Sequence, residues 1–314
     1  MKRSMEHSGF PRISIITTSF NQARFLEEAI RSVLGQGYPN LEYIIIDGGS
    51  TDESVDIIRK YADRLTYWVS ESDKSHGEAL NKGFRRSTGE IMGWINSDDK
   101  YLPGAFKIVS QIFSANPAIE WLTSETHLSI DEKGEIIGKA LFLNLGRRGF
   151  KEGFYLPDIN VIPQESTFWR RSLWERAGGY IDANLKIVPD FELWARFWEQ
   201  AELYSIPAAL GAVRSHGDRI TSRLFKDCCQ QARKIWAQHG GAPPKGITGF
   251  FRDELLSRRI PIVTYMLLNR RKRLSIYNKD TLRWNPWLDT FALLNPLKII
   301  RKVEKIIRSR IGQG

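Results

Sequence analysis

Short apolar runs alternate with amphipathic stretches through the first hundred residues. Ile13-Ser14-Ile15-Ile16-Thr17-Thr18 is apolar and β-branched and reads as a buried strand. Ser19-Phe20-Asn21 follows, and then Leu26, Ala29, Ile30, Val33 and Leu34 recur at helical spacing, with Asn21 placed to cap that helix. A second run, Tyr43-Ile44-Ile45-Ile46, ends in Asp47-Gly48-Gly49-Ser50-Thr51-Asp52. Its glycines permit a tight turn with close backbone approach. Ser50 or Thr51 is placed to cap a helix carrying Val55, Ile58 and Tyr61. A weaker strand is expected at 65–69, before Ser70-Glu71-Ser72-Asp73-Lys74. A fourth run, Ile91-Met92-Gly93-Trp94-Ile95, breaks off into Asn96-Ser97-Asp98-Asp99.

Strand, polar loop and helix in repetition predict βαβ units on a parallel sheet, an α/β fold. Such sheets bind ligands at their carboxyl edge. The strand tips gather Thr17, Thr18, Asp47, Lys74, Asp98 and Asp99 there. Two adjacent carboxylates suit a hard divalent cation such as Mg²⁺ or Mn²⁺, which prefers oxygen ligands and bridges protein to phosphate. Taken alone, the same pair fits a polar turn after a strand.

The 314 residues allow one substantial core and an appended segment. Gly240-Gly241-Ala242-Pro243-Pro244-Lys245-Gly246 reads as a linker and divides 1–240 from 241–314. The second part is expected to be helical and basic. Arg270-Arg271-Lys272-Arg273 is one basic cluster. Residues 297–311 set Ile299, Ile300, Val303, Ile306 and Ile307 among Lys298, Arg301, Lys302, Lys305 and Arg308. That pattern fits a helix lying on a membrane surface, with Trp284, Trp287 and Phe291 at headgroup level. It fits equally a helix packed on the first domain with a solvated basic face.

The net charge of +10 and pI near 9.6 point to acidic partners. No nucleic-acid motif accompanies them, so nucleic acid is not an expected partner. No apolar run approaches the length of about 18 residues read as a membrane span. Residues 1–10 lack the apolar core of a signal peptide. Cys228 and Cys229 are adjacent and offer no disulfide framework. The expected location is the cytoplasm, with a peripheral place on the inner face of the cytoplasmic membrane left open.

In their order and spacing these motifs resemble the family 2 glycosyltransferases, inverting enzymes of the GT-A fold that use nucleotide-diphosphate sugars. The resemblance runs over 11–222. It is carried by Thr17-Thr18-Ser19-Phe20-Asn21, Asp47-Gly48-Gly49-Ser50-Thr51-Asp52, Asp73-Lys74 with Asn81-Lys82-Gly83, Gly89-Glu90 and Asn96-Ser97-Asp98-Asp99. Gln164-Glu165-Ser166-Thr167-Phe168-Trp169-Arg170-Arg171 and Pro189-Asp190-Phe191-Glu192-Leu193-Trp194-Ala195-Arg196 complete it. It is nearest to bacterial members that build capsule, O-antigen or exopolysaccharide chains.

The resemblance implies a Rossmann-like mixed sheet, a nucleotide-sugar donor, a glycan or lipid-linked glycan acceptor, and Mg²⁺ or Mn²⁺. It implies Asp99 as the direct metal ligand, with Asp98 at the ribose or sugar or meeting the metal through water. His216 would approach the metal or diphosphate, or is a surface-loop histidine. Asp47 would accept from the base, or caps its own turn. Thr17 and Phe20 would line base and ribose, although Thr17 also suits an ordinary strand position. Lys74 would meet phosphate as a point charge, or is a solvated loop lysine. Asp190 would be the general base that deprotonates the acceptor hydroxyl, or caps an aromatic-rich helix. Glu192 and Asp182 are the next carboxylates to consider as base; Asp182 reads as a turn residue.

Two departures stand out. Pro189 occupies a position where many relatives carry an acid, and Ser75-His76-Gly77-Glu78 replaces a stretch often beginning with glycine and ending in aspartate. A catalytically silent sugar-nucleotide binder or membrane scaffold of the same fold stays open as an alternative. Asp99 and Asp190 together favour the enzyme, since a binder needs no base. A nucleotidyltransferase would want a glycine-rich phosphate loop after the first strand, and Thr17-Thr18-Ser19-Phe20-Asn21 is not one.

Overall fold

The computed structural model describes residues 9–157, 160–219 and 223–242, together with the backbone of 274–278 and 283–286. Its first half follows the predicted order: β1 (Ile13–Ser19), α1 (Ala23–Leu34), β2 (Leu41–Asp47), α2 (Ser54–Lys60), β3 (Tyr67–Ser70), α3 (His76–Arg86) and β4 (Ile91–Asn96). The short β5 (Lys100–Tyr101), α4 (Ala105–Ala115), β6 (Trp121–Ser124), β7 (Thr126–Ile130), β8 (Ile136–Leu141) and α5 (Gly146–Lys151) come next. Then follow β9 (Phe168–Arg170), α6 (Arg171–Arg176), α7 (Pro189–Gln200), β10 (Leu203–Ile206), β11 (Gly211–Arg214) and α8 (Phe225–Gln238).

Seven strands form one sheet in the order β10-β6-β9-β4-β1-β2-β3. The strands from β4 to β3 run parallel, and β9 enters antiparallel between β4 and β6. The sheet is therefore mixed. Its strand order reverses at β1, which has β2 on one side and β4 on the other. In an open α/β sheet that switch point opens a crevice beyond the strand ends. The register aligns Ser70, Asp47 and Ser19 across three strand tips, with Thr18 opposite Asn96.

The apolar runs are continuous because helices cover both faces of the sheet. Ile13, Ile15, Tyr43 and Ile45 face α1 and α4, with Leu26, Ile30, Phe106 and Val109. Ile16, Ile44 and Ile46 face the other way, toward Leu80 and Phe84 of α3 and the aromatic side of α7. There Trp194 stacks on Trp94 at 5.8 Å between centroids and on Trp121 at 5.7 Å. These rings fix α7 on the sheet and so fix where its first turn stands.

Gly89 lies where the chain enters β4, with its N–H donating to Ser14 Oγ (2.7 Å). A Cβ at this position would stand 2.7 Å from the Ser14 nitrogen and 2.9 Å from the Arg12 oxygen, both backbone atoms. Gly89→Ala should therefore cost roughly 1–3 kcal/mol, the range for overpacking a filled site. Urea unfolding monitored by tryptophan fluorescence measures it; an unchanged midpoint would contradict the packing.

A second, four-stranded sheet has the order β5-β11-β7-β8. Pairing of β5 with β11, Gly211 opposite Tyr101 and Ala212 opposite Lys100, sets the chain after β11 beside the chain before β5. That chain is the Asp98-Asp99 turn.

Beyond the proposed linker, β12 (Leu274–Asn278) and β13 (Arg283–Pro286) pair antiparallel. This part of the extension is strand, where helix was expected. The Arg270-Arg271-Lys272-Arg273 cluster, Trp287, Phe291 and the 297–311 segment lie outside the described residues. No helix among the described residues is long and apolar enough to cross a membrane.

Candidate active site at the carboxyl edge of the sheet

The loop after β2 closes on itself. Asp47 is fully buried, and its carboxylate accepts from Gly49 N (3.2 Å), Ser50 N (2.8 Å), Ser50 Oγ (2.5 Å) and Ser70 Oγ (2.7 Å). The structure thus gives Asp47 the turn-holding role, and Gly49 supplies the left-handed φ of +81° that the turn requires. Asn21 does not cap α1. It too is left-handed (φ +51°), and its Oδ1 accepts from Thr51 N (2.8 Å). The first turn of α1 is satisfied from the β2 loop instead: Ala23 N donates to Asp52 Oδ2 (2.9 Å) and Gln22 N to Ser54 Oγ (3.1 Å). Asp52 also accepts from Ser54 N (3.0 Å), so one carboxylate serves two helix starts.

Thr17 is fully buried, with its hydroxyl paired to Tyr43 OH (3.0 Å). It packs within the sheet beneath the edge, at the position expected to line base or ribose. Strand alternation sends the next hydroxyl, Thr18, the other way, to His76 Nε2 (2.9 Å). Phe20 is 61% exposed and lies against Gly48, an open aromatic face at the rim.

The departure at Ser75-His76-Gly77-Glu78 has a structural reason. Ser75 is the N-cap of α3 and accepts from Glu78 N (3.2 Å), while Glu78 Oε2 reaches back to Lys74 N (2.6 Å). This is a reciprocal cap of the capping-box kind. It leaves the Lys74 side chain exposed at the rim, whereas Lys82 is held by Glu71 (2.8 Å) and Asp73 (2.6 Å).

The two carboxylates after β4 part company. Asp99 is 3% exposed; Oδ1 accepts from Arg214 N (2.8 Å) and Oδ2 from Asn96 Nδ2 (3.3 Å). Burial first, then the neighbouring Asp98 and Glu165, push its carboxyl well above the usual range. Asp98 is half-buried, and its Oδ2 lies 2.9 Å from His216 Nε2. Asp99 was the expected direct metal ligand; in the structure its carboxylate is taken up by Arg214 N and Asn96. In this tight turn adjacent side chains diverge, and the one set beside the imidazole is Asp98.

One carboxylate and one imidazole are donors that a divalent cation such as Mn²⁺ accepts, with diphosphate and water filling the other positions. The pair fits that role. Among the described residues no group of three or more His, Cys, Asp or Glu forms a fuller cage.

Asp99 supplies a test in metal-free buffer. A carboxyl raised in the native state holds its proton where the unfolded chain has lost it. Its contribution is favourable at low pH and is lost as pH rises above the ordinary carboxylate range through the native value. Asp99→Asn should flatten that fall and raise the melting temperature at pH 7 more than at pH 4.5. Parallel melting curves for the two proteins would refute the buried, raised carboxyl.

Asp190 is the second residue of α7, directly after Pro189. Its carboxylate accepts from the first-turn N–H groups of Phe191 and of Asp190 itself, while the cap position is Val188, held at φ +51°, uncommon for a β-branched residue. Such strain clusters at functional sites. Asp190 is half-buried, and burial raises its carboxyl above the usual range, against the N–H groups of Phe191 and Asp190 itself and the charge of Arg219. Arg219 and Glu165 act electrostatically on both Asp99 and Asp190.

The other two candidate carboxylates are engaged elsewhere. Glu192 is locked in a two-pronged pair with Arg196, both bonds 2.7 Å, inside the protein. Asp182 Oδ1 accepts from Asn184 N and Nδ2, each 3.0 Å, as a turn residue. His76, Glu165, Arg214 and Arg219 were not singled out from sequence as site residues. The legible signal was the position of Arg214 two residues before His216.

Solved structures share this architecture. S. aureus TarS in complex with UDP-GlcNAc matches with a TM-score of 0.57 at 16% identity, over 79% of this chain and 71% of that one. A mannosyltransferase from Pyrobaculum calidifontis, solved with GDP-Man and Mn²⁺, matches with a TM-score of 0.53 at 18% identity, over 80% of this chain and 69% of that one. The fold is the GT-A fold of glycosyltransferases. Residues 14–133 match the family model for glycosyl transferase family 2. An uncharacterized glycosyltransferase of Mycobacterium tuberculosis is 31% identical over 193 residues, 59% of this chain and 68% of its own length. Another, of Rickettsia typhi, is 28% identical over 233 residues, 72% of this chain and 71% of its own. The chain belongs to glycosyltransferase family 2.

Proposed function

We propose that this chain is an inverting glycosyltransferase. It moves a sugar from a nucleoside-diphosphate donor to a hydroxyl of a glycan or lipid-linked glycan, in the building of a cell-surface polysaccharide at the cytoplasmic face of the membrane. What supports this reading is the presence of two different acidic devices, one in the turn after β4 and one at the start of α7. Asp98 beside His216 suits a divalent cation and a diphosphate. Asp190, a carboxyl of raised pKa at a helix start, suits a proton acceptor. A binding protein has use for the first and none for the second.

In this reading Phe20 offers its ring to the base, and Lys74 meets the phosphates as a point charge. Asp190 takes the proton from the acceptor hydroxyl as that oxygen bonds to the anomeric carbon. The bond from carbon to diphosphate oxygen breaks on the opposite face, which inverts the centre. A divalent cation held by Asp98 and His216 would neutralise charge on the departing diphosphate. The UDP-GlcNAc and the GDP-Man with Mn²⁺ in the two solved relatives support a nucleotide-sugar donor and a metal.

Titration of the full chain with UDP, GDP and dTDP, each with and without Mn²⁺, tests the proposal. One nucleotide should bind, and Mn²⁺ should tighten it. The matching nucleotide sugar should then yield free nucleoside diphosphate. Failure of all three to bind would refute the reading.

A further inference from the structure

Among the described residues, the largest charged side chain sealed inside the protein is Arg214, which is 0% exposed. A buried guanidinium is expensive unless its donors and charge are met. Here they are. Nε donates to the Asp98 carbonyl (2.8 Å), Nη1 to the carbonyls of Asp131 (2.7 Å) and Glu132 (3.1 Å), and Nη2 to Glu28 of α1. The ring of Phe25, also on α1, lies 4.9 Å from the guanidinium carbon and 4.9 Å from the His216 ring. Glu28 is shared with Lys100 Nζ (2.7 Å). Burial works to raise its carboxyl, but the hydrogen bond from Lys100 and the charge of Arg214 hold it below the usual range, so it stays ionised as the counter-charge.

The stretch from Arg214 to His216 therefore grips the acidic turn at three points. The Arg214 N–H holds the Asp99 carboxylate, its Nε holds the Asp98 backbone, and the His216 ring meets the Asp98 carboxylate. Through the guanidinium the turn is tied to α1 and to the loop between β7 and β8.

We propose that Arg214 is a positioning residue, which holds the Asp98 carboxylate and the His216 imidazole at the mutual distance a bound cation and diphosphate require. The inference rests on the reading of Asp98 and His216 as that site. Lysine can keep the charge against Glu28, but it lacks the planar fork that reaches Asp98, Asp131 and Glu28 together. Alanine or methionine would leave Glu28 without its partner and confuse positioning with folding.

The test compares the unsubstituted full chain, Arg214→Lys, Glu28→Gln and Asp98→Asn. The probes are UDP, GDP and dTDP with and without Mn²⁺; the readout is the ratio of Kd without metal to Kd with it, beside a melting curve. Arg214→Lys should lose at least about tenfold of the Mn²⁺-dependent gain, the scale for removing an outer partner of a metal ligand. Its metal-free Kd should stay within about twofold, because the base side of the site is untouched. Glu28→Gln should lose part of the same gain and covers the case in which Arg214→Lys does not fold. A folded Arg214→Lys or Glu28→Gln protein with the full Mn²⁺ gain, while Asp98→Asn lacks it, overturns the positioning role alone. Equal losses of metal-free and metal-dependent affinity mean a merely structural arginine and overturn it too. If Asp98→Asn also keeps the full gain, the metal reading itself is wrong and the inference goes with it.

Discussion

Asp190→Asn should bind nucleotide and Mn²⁺ as the unsubstituted chain does and lose transfer to the acceptor. A positioned general base typically contributes about 10²–10⁴ in rate, and the loss in kcat should reach that range. The amide is nearly isosteric and keeps an oxygen to accept from the first-turn N–H groups, so folding should survive. The starting protein carries its own pH signature. A carboxyl raised by burial must lose its proton before it can accept another, so activity should rise with pH along an acid limb centred above the ordinary aspartate value. Asp190→Asn should erase that limb from whatever activity remains. Near-normal turnover in the folded variant would move the base elsewhere, and neither Glu192, tied to Arg196, nor Asp182, tied into its own turn, is free to replace it.

Asp98→Asn and Asp99→Asn should behave differently despite being neighbours. Removing the Asp98 charge takes away one of two protein donors beside the cation. The Mn²⁺-dependent part of nucleotide affinity should fall by at least about 10–100-fold, the loss that follows removal of an outer partner alone. Asp99→Asn should retain most of that gain, because the Asp99 carboxylate is taken up by Arg214 N and Asn96. Calorimetric titration with and without Mn²⁺ reads both. The reverse order of effects would restore Asp99 as the ligand and refute the placement described above.

Much of the frame was legible because it depends on local periodicity. The runs that became β1, β2, β3 and β4, and the helical repeat that became α1, fell within a few residues of where hydrophobic spacing put them. Buried parallel strands must be apolar on both faces, and amphipathic helices must repeat at 3.6 residues. The carboxyl edge as the site followed from the same pattern, since βαβ connections leave the strand ends open on one side. The motif order was enough to point to the family.

Tertiary structure decided what each side chain at that edge does. Residues 17 and 18 are both threonine, and only pleating determines that Thr17 turns inward to Tyr43 while Thr18 meets His76. Asp98 and Asp99 are chemically alike. Only the pairing of β5 with β11, more than a hundred residues apart, buries one and aims the other at His216. Asn21 read as a cap and became a bridge, because Asp52 on the next loop reached the start of α1 first. Arg214 gave no local sign of being the most deeply sealed charge in the site, for its partners come from α1, the β4 turn and the loop between β7 and β8. Spacing along the chain fixes elements and faces; which polar group is met, and which is left facing the crevice, is set by contacts between segments far apart in sequence.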